Sequence, residues 1–296
     1  MRAMTRKILS AKTRALGAWT SLGHPSITEI FTAAGVDFIG IDLEHSTISQ
    51  EQAQRIIAAA QAGGVACLPR VASHNGEQIK HLLDSGADGI IVPNVSRPEE
   101  VEQIIRWCYY PPVGQRSYGV ARAQGYGVSF DEYVATWNAR CSLVIQIESI
   151  QAVEAVDRLV SFDHVAGAMI GPYDISGSLG IPGQLDHPRV TEACVRVIEA
   201  CRKARKACGT QLVEPSSEGM EAAFSSGYTF VVLASDVFIL WKWADRMRGL
   251  IQSHRSSPVR RAVARSSHHL RQLPQAALRN AQGLSGRPKV VGSTHS

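Results

Sequence analysis

Short β-rich runs alternate with longer helical patterns along most of the chain, and this alternation limits the possible fold more than any other feature. Eight runs predict strands, at Gly17–Leu22, Asp37–Asp42, Ala66–Val71, Gly89–Val95, Leu143–Glu148, Gly167–Ile170, Thr210–Val213 and Phe230–Ala234. Helical periodicity marks the stretches Ser26–Ala34, Gln50–Ala62, Asn75–Ser85, Pro98–Trp107, Ala152–Ser161, Pro188–Ala207 and Glu218–Ser226. Strands that alternate with helices form βαβ units and a parallel sheet. Eight units in about 250 residues predict a single (β/α)8 TIM barrel over residues 1–253.

A doubly wound open sheet is the alternative that the same alternation allows. Such a sheet has a glycine-rich phosphate-binding turn after its first strand. Here that turn reads SLGHPS, at residues 21–26, and lacks the pattern, so the barrel is favoured. Residues 109–140 form one long connection without a predicted helix, and long ordered connections are usually functional or interfacial.

The basic charge of the chain is concentrated at its C-terminal end. The formal net charge is +5, but residues 254–296 hold eight Arg or Lys and no Asp or Glu. The other 253 residues hold 23 basic and 26 acidic side chains, so the predicted barrel has no charge that favours nucleic acid. Residues 254–296 are rich in Ser, Arg and Pro, which predicts a disordered basic tail without a catalytic role.

Cysteine usage and hydropathy predict a cytoplasmic protein. The six cysteines form neither a CxxC pair nor a Cys/His cluster, so no zinc site or disulfide scaffold is predicted. The basic N-terminal segment lacks the apolar core of a signal peptide, and the longest apolar run, residues 230–240, is interrupted by Ser235 and Asp236. Neither a signal peptide nor a membrane span is predicted.

In a barrel of this kind, catalytic residues lie where strands end. The polar residues at predicted strand ends are Asp42, Glu44, His45, Arg70, Gln146, Glu148 and Asp174. Glu148 and Asp174 close adjacent strands, whose spacing of roughly 4.8 Å brings both carboxylates within reach of one ion. Hard oxygen ligands at an open site suit Mg²⁺ or Mn²⁺. The alternative is that each carboxylate caps a helix or pairs with a surface cation.

Three further side chains have a functional and a structural interpretation. Gln146 lies two residues before Glu148 and points to the same side of its strand, where its amide enters the barrel mouth or fills the interior. Arg70 is costly to bury unless it meets an anionic substrate or a barrel carboxylate. His45 follows a strand end directly and is the histidine best placed to act as a base.

The positions of the lysines decide whether the barrel mouth can form a Schiff base with a carbonyl substrate. A Schiff-base enzyme needs a lysine that points into the barrel mouth. All seven lysines fall in the N-terminal leader, in helical stretches or in the tail: Lys7, Lys12, Lys80, Lys203, Lys206, Lys242 and Lys289. Enolate chemistry would therefore use a metal ion as its electron sink.

Six motifs in order, over Gly17–Ile251, carry a resemblance to a known family: IDLEHS, LPRV, LLDSGADGIIVPNV, PPVGQRSYG, QIES and IGPYDISGSLG. Together they resemble the HpcH/HpaI aldolases, which include 4-hydroxy-2-oxoheptanedioate aldolase, 2-keto-3-deoxy-L-rhamnonate aldolase and macrophomate synthase. The resemblance implies a (β/α)8 barrel that acts on pyruvate held by a divalent cation, Mg²⁺ or Mn²⁺ with Co²⁺ as a further option. It also implies a homo-oligomer, a trimer or a hexamer with an exchanged C-terminal helix.

The resemblance assigns roles residue by residue. Metal ligands would be Glu148 and Asp174, and the 2-oxo acid would be held by Gln146, Tyr173 through its backbone, and Asp174. The general base would be His45, with Asp84 of LLDSGAD raising its basicity, and Arg70 would stabilise the enolate. One departure is Tyr173, since the family motif more often reads GPAD where this chain has GPYD.

The expected activity is the reversible cleavage of a 4-hydroxy-2-oxo acid to pyruvate and an aldehyde through a metal-bound enolate. The alternative within the family is a condensing lyase, a decarboxylase or a citrate-synthase-like enzyme that uses oxaloacetate. A third possibility, from another class, is a catalytically silent barrel that binds a metabolite. In each case the expected partner is a small molecule, with neither nucleic acid nor membrane involved.

Overall fold

The computed structural model describes residues 9–12 and 14–256, and its central element is a closed barrel of eight parallel strands in sequence order. The strands are β1 (Ala15–Thr20), β2 (Phe38–Asp42), β3 (Ala66–Arg70), β4 (Gly89–Val92), β5 (Ser142–Ile147), β6 (Val165–Ile170), β7 (Ala207–Leu212) and β8 (Phe230–Ser235). The predicted TIM barrel is confirmed. Most of these strands are buried along nearly their whole length, as parallel strands covered by helices must be.

All seven predicted helices are present, and the described residues contain three more α-helices. The ten are α1 (Pro25–Ala33), α2 (Gln50–Ala62), α3 (Gly76–Asp84), α4 (Pro98–Cys108), α5 (Phe130–Arg140), α6 (Ile150–Val160), α7 (Pro172–Ser178), α8 (Pro188–Ala204), α9 (Ser217–Ser225) and α10 (Asp236–Ser256). The long connection predicted over residues 109–140 contains α5 and a 3₁₀ helix, Arg122–Gly127. Of α5, only Tyr133 and Trp137 are buried, so it lacks the apolar stripe that marks a helix in a sequence.

The core has two layers, one inside the barrel and one between the strands and the helices. The inner layer matches large side chains to glycines on neighbouring strands. A β-carbon on Gly17 would lie 2.2 Å from the Phe38 ring, and one on Gly209 would lie 2.0 Å from the Phe230 ring. Those two phenylalanines meet edge to face with ring centroids 6.0 Å apart. Because side chains fill the barrel interior closely, the residues at the barrel mouth are supported by a rigid core.

The predicted boundary after residue 253 falls inside a helix, because α10 runs from Asp236 to Ser256. The chain divides into two units, residues 1–240, which contain the barrel, and residues 241–296. Residues 257–296, most of the predicted tail, lie outside the described residues. Among residues 9–12 and 14–256, no helix combines the length and apolarity needed to cross a membrane.

Candidate active site

The carboxyl ends of β2 and β3 hold an arginine between two carboxylates. Arg70, the last residue of β3, donates from Nε (3.2 Å) and Nη2 (2.8 Å) to Asp42 Oδ1 at the end of β2. Its Nη1 lies 3.0 Å from Glu44 Oε2. The Arg70 side chain is 12% exposed, so its charge is balanced mainly by these two carboxylates. The ion pair with barrel carboxylates is therefore present, and because Arg70 also lies at the barrel mouth, its contact with an anionic substrate stays a prediction.

An aromatic ring from β1 supports the same arginine. The guanidinium carbon of Arg70 lies 5.1 Å from the centroid of the Trp19 ring, within the range of a cation–π contact. Trp19 fits there because Gly40 on β2 has no side chain, and a β-carbon at Gly40 would lie 2.3 Å from the indole. The Arg70 guanidinium is therefore held by the Trp19 ring and by the carboxylates of Asp42 and Glu44.

Gln146 and Glu148 lie at the end of β5, where the sequence pattern predicts them together. Gln146 Nε2 donates to Glu148 Oε2 at 2.5 Å, and both side chains are buried. The other amide atom, Gln146 Oε1, is buried without a hydrogen-bond partner. The pKa of Glu148 is raised to about 7, chiefly by burial and also by the negative charges of Glu44 and Asp174, while the Asn94 N–H and Arg70 oppose the shift. An unbalanced carboxylate beside an unpaired amide oxygen is an environment that a cation would stabilise.

Asp174 lies in the first turn of α7, four residues beyond the end of β6, and borders the same space as Glu148. The residue between them is Gly171, the N-cap of α7. A β-carbon on Gly171 would lie 3.3 Å from Asp174 Oδ2 and 3.3 Å from Glu148 Oε2. The two carboxylates therefore share a small cradle that exists because residue 171 has no side chain.

The cradle suits a hard divalent cation in its donor chemistry. Its oxygens come from Glu148 and Asp174, and carboxylate oxygens are the ligands that Mg²⁺ and Mn²⁺ prefer. In the described part of the chain, no group of three His, Cys, Asp or Glu side chains is arranged to hold a metal. An ion in this cradle would take its remaining ligands from substrate and water, as an open catalytic site requires.

His45 lies at the rim of the same mouth, with a side chain that is 72% exposed. Its backbone N–H donates to Asp42 Oδ1 at 3.1 Å, and its Nε2 lies 3.8 Å from Glu44 Oε2. The imidazole is therefore accessible to substrate and close to one carboxylate, Glu44.

Asp84 makes its described contacts away from the barrel mouth, and the role that the resemblance gives it beside His45 stays a prediction. It is the last residue of α3, and its Oδ1 accepts a 2.6 Å hydrogen bond from Nη2 of Arg116. Helices of this barrel end at the side opposite to the strand ends, so Asp84 and His45 belong to opposite faces of the same chain. The fully buried Arg116 side chain also packs 4.7 Å from the rings of Tyr110 and Trp137. Asp84 thus anchors the connection after α4, and the carboxylates beside His45 are Asp42 and Glu44.

Tyr173 and the lysines complete the predicted set. Tyr173 lies next to Asp174 on α7, its side chain is exposed, and its ring lies 3.7 Å from a β-carbon built on Gly183. Among the described lysines, Lys80 is in α3, Lys203 is in α8, and Lys206 donates to the carbonyls of Phe162 and Asp163 at the start of β6. None of these three lysines lies at a strand end of the barrel mouth.

One residue that contacts two carboxylates of this site was not predicted from the sequence. Asn94, two residues after β4, donates its backbone N–H to Glu148 Oε1 at 2.5 Å and its side-chain Nδ2 to Glu44 Oε1 at 3.2 Å. Its φ of +55° is in the left-handed region. The sequence signal was available, since asparagine is among the few residues that adopt this conformation readily and it follows directly on a strand and a proline.

Comparisons with known proteins agree with this geometry. The model of the family described as HpcH/HpaI aldolase/citrate lyase matches residues 15–242. A hydroxypyruvate/pyruvate aldolase of Roseobacter denitrificans is 33% identical over 79% of this chain and 91% of its own length. A 2-keto-3-deoxy-L-rhamnonate aldolase of Klebsiella pneumoniae is 31% identical over 86% of this chain and 94% of its own. The crystal structure of the citrate synthase SbnG superposes with a TM-score of 0.72 at 26% identity, covering 83% of this chain and 96% of that one. The chain belongs to the HpcH/HpaI aldolase/citrate lyase family.

Proposed function

We propose that this member of the aldolase family is a divalent-metal-dependent lyase that reversibly cleaves a 4-hydroxy-2-oxo acid into pyruvate and an aldehyde. The observation that carries the proposal is the balance of charge at the barrel mouth. Four carboxylates, those of Asp42, Glu44, Glu148 and Asp174, influence one another there beside the single guanidinium of Arg70. A cation is the simplest means of balancing the excess negative charge when an anionic 2-oxo acid also enters.

Glu148 and Asp174 would hold the ion, with Mg²⁺ or Mn²⁺ the expected metals and Co²⁺ a further option. When bound, the ion supplies Lewis acidity that draws electron density toward the 2-oxo group. Gln146 Nε2 donates one of its two N–H groups to Glu148, so the second is available to donate to an oxygen of the 2-oxo acid. Tyr173, through its backbone, and Asp174 border the position of the 2-oxo acid.

Arg70 retains donors for the substrate after its ion pairs are counted. A guanidinium has five N–H groups, and the hydrogen bonds to Asp42 use one on Nε and one on Nη2, while Nη1 forms an ion pair with Glu44. One N–H on each terminal nitrogen remains for an oxygen that becomes negative. We assign these to the C2 oxygen, which receives the electron pair as the C3–C4 bond breaks.

The exposed position of His45 supports a role for its imidazole in moving the proton of the 4-hydroxyl group. Its exposed imidazole takes the proton of the 4-hydroxyl group as the aldehyde forms, directly or through one water. Protonation of C3 then completes pyruvate. The nearest carboxylate is that of Glu44, whose Oε2 lies 3.8 Å from Nε2.

The relatives support an aldolase, since two of them are named as aldolases of pyruvate-type and 2-keto-acid substrates. The similarity to a citrate synthase favours a second candidate, a condensing lyase or decarboxylase that uses oxaloacetate. Both candidates share the enolate of pyruvate or oxaloacetate, so both use Arg70. They differ in the partner molecule, beside which the exposed Tyr173 lies.

The test is the exchange of pyruvate methyl protons with deuterated water, followed by NMR, together with a screen of 4-hydroxy-2-oxo acids and oxaloacetate. Activity should disappear with EDTA, return with Mg²⁺, Mn²⁺ or Co²⁺, and survive borohydride treatment with pyruvate. Covalent trapping of pyruvate on a lysine would overturn the metal-dependent class. Absence of any exchange with all three metals would indicate a silent barrel. Condensation of oxaloacetate without cleavage of any hydroxy acid would favour the second candidate.

A trimeric or hexameric assembly and a cytoplasmic location stay predictions of the sequence. Sedimentation equilibrium of the full chain tests the first, because a trimer and a hexamer differ twofold in mass. Cell fractionation tests the second.

A further inference from the structure

Asn94 is bound on two sides by carboxylates that come from two other strand ends. Its backbone N–H reaches Glu148 after β5, and its side-chain amide reaches Glu44 after β2. One residue thus links β2, β4 and β5 at the barrel mouth. Neither contact involves the substrate or a neighbouring segment of chain, since the partners lie 54 and 50 residues away.

The backbone conformation at residue 94 restricts which amino acid can make both contacts. With φ at +55°, most side chains would be strained by about 1 kcal/mol or more. Glycine tolerates this conformation but has no side chain, whereas aspartate tolerates it but has no donor for Glu44. Among the residues that commonly adopt the left-handed region, asparagine supplies the donor that this geometry uses.

The contact with Glu44 has a consequence for the two residues that perform the proposed chemistry. Asn94 Nδ2 donates a hydrogen bond to Oε1 of Glu44. The other oxygen, Oε2, lies 3.0 Å from Arg70 Nη1 and 3.8 Å from His45 Nε2. The Glu44 side chain is 12% exposed, and apart from the Asn94 amide its described restraints are the ion pair with Arg70 and the longer contact with His45, both on Oε2. Without the amide, Oε1 loses its hydrogen bond, and the carboxylate can rotate about its remaining contact with Arg70.

We propose that Asn94 is a positioning residue of the active site, whose side-chain amide orients Glu44 toward Arg70 and His45 while its backbone N–H fixes Glu148. This inference rests on the proposed function, because Glu44 matters through the chemistry of its two neighbours. It predicts that Asn94 affects turnover more than substrate binding. The reason is that the Asn94 side chain contacts Glu44, which is not one of the two carboxylates that line the cradle.

Asn94→Gly separates the two contacts, because glycine keeps the left-handed backbone and its N–H but removes the amide. We expect kcat for pyruvate methyl-proton exchange to fall about tenfold or more, with KM for pyruvate changed less than about threefold. Asn94→Asp, which replaces the donor with a carboxylate beside Glu44, should lose at least as much. Arg205→Gly is the matched control, since Arg205 has a φ of +57° at the end of α8, far from the mouth, and its kcat should stay at the wild-type value.

A double-mutant cycle shows whether Asn94 acts through Glu44. In a Glu44→Gln background the further loss from Asn94→Gly should shrink to less than about twofold, because the carboxylate that it orients is gone. Losses that multiply independently would overturn the inference, and so would wild-type kcat in Asn94→Gly.

A crystal structure of Asn94→Gly decides the inference even if the wild-type protein shows no exchange, in which case the proposed function fails separately. The Glu44 carboxylate should leave the position 3.0 Å from Arg70 Nη1 that it has in the wild-type protein. A Glu44 side chain that keeps this position would overturn the positioning role.

Discussion

At the residue scale, the proposed mechanism gives different tasks to two side chains at the barrel mouth, although both contact Glu44. Arg70 would meet the negative charge on the C2 oxygen, which forms in aldol cleavage, oxaloacetate decarboxylation and proton exchange. His45 would move the proton of the 4-hydroxyl group, which exists only in the aldol substrate. The structure places Arg70 in a rigid, buried environment and His45 at the exposed rim, in keeping with these tasks.

Substitution at these two positions should therefore give different patterns of loss. Arg70→Ala should reduce cleavage and decarboxylation alike, by about two to three orders of magnitude. Arg70→Lys should fail similarly, because a single ammonium cannot reach Asp42, Glu44 and substrate together. His45→Ala should reduce cleavage far more than decarboxylation. The measurement is kcat/KM for both reactions with metal content checked, and equal losses in His45→Ala would contradict the division of tasks.

Gly171 should be intolerant of even one methyl group. In Gly171→Ala the new carbon would lie 2.9 Å from Glu148 Cβ and 3.3 Å from the nearest oxygens of both carboxylates, so it fills the cradle. We expect Mn²⁺ affinity, measured by isothermal titration calorimetry, to fall at least about tenfold, or ~1.4 kcal/mol. Gly177→Ala is the matched control on α7, because a β-carbon there meets nothing within 4 Å. Unchanged Mn²⁺ binding in Gly171→Ala would show that the ion binds elsewhere.

At the scale of elements, the junction between β8 and β1 closes the barrel, and a buried carboxylate ties it. Asp236, which begins α10, accepts hydrogen bonds from the Thr20 hydroxyl and from the backbone N–H groups of Ser21 and Leu22, just after β1. β8 is irregular here, since Ala234 has a φ of +58° and the register with β1 shifts. The Asp236 carboxylate thus accepts hydrogen bonds from the backbone just after β1, where hydrogen bonding between β1 and β8 ends.

Asp236→Ala should destabilise the barrel strongly. It removes the acceptor of three backbone N–H groups, those of Ser21, Leu22 and Val237, and of the Thr20 hydroxyl, at a cost of about 2–4 kcal/mol. Asp236→Asn keeps one acceptor oxygen and should cost less than half as much. Urea unfolding followed by circular dichroism measures both. A cost below about 0.5 kcal/mol for Asp236→Ala would mean that water replaces the carboxylate without loss.

At the scale of the whole molecule, each end of the barrel holds a buried carboxylate whose pKa is raised, Glu148 at the mouth and Asp88 at the opposite end. Asp88 lies just before β4, at the end opposite to the active site, and its Oδ2 accepts the Cys67 N–H at 3.0 Å. Burial raises the pKa of Asp88 to about 6, against the opposing hydrogen bond from Cys67 and the charge of Arg140. The folded state therefore binds the proton more tightly than the unfolded chain, whose Asp pKa is about 3.9.

The sign of the resulting pH dependence follows from this difference. The stabilisation from protonated Asp88 is complete below about pH 4 and is lost as pH rises through about 6. Asp88→Asn is neutral at every pH and keeps an acceptor for Cys67, so it should match the wild type near pH 4 and exceed it by on the order of 1–3 kcal/mol at pH 8. Subtracting the two urea-unfolding curves cancels the contribution of Glu148. A difference that does not vary with pH would refute this role of Asp88.

The sequence by itself determined the barrel and most of the residues at its mouth. Fully buried strands such as β2 and β5 and amphipathic helices such as α4 and α6 carry their patterns within a few residues, so each can be recognised locally. The rule that function lies at strand ends then places Arg70 and Glu148 at one face. The helices that escaped prediction are α5, α7 and α10, which are weakly patterned, short or largely exposed.

Only the tertiary structure decided which of these residues meet. Contacts between Glu44, Asn94 and Glu148 join segments about 50 residues apart, and they depend on barrel closure, which no local pattern encodes, as well as on the left-handed conformation of Asn94. The same non-local geometry pairs Asp84 with Arg116, 32 residues away. Hydrophobic periodicity determines which elements form and what they bury, whereas side-chain distances follow from how all eight strands pack around a common axis.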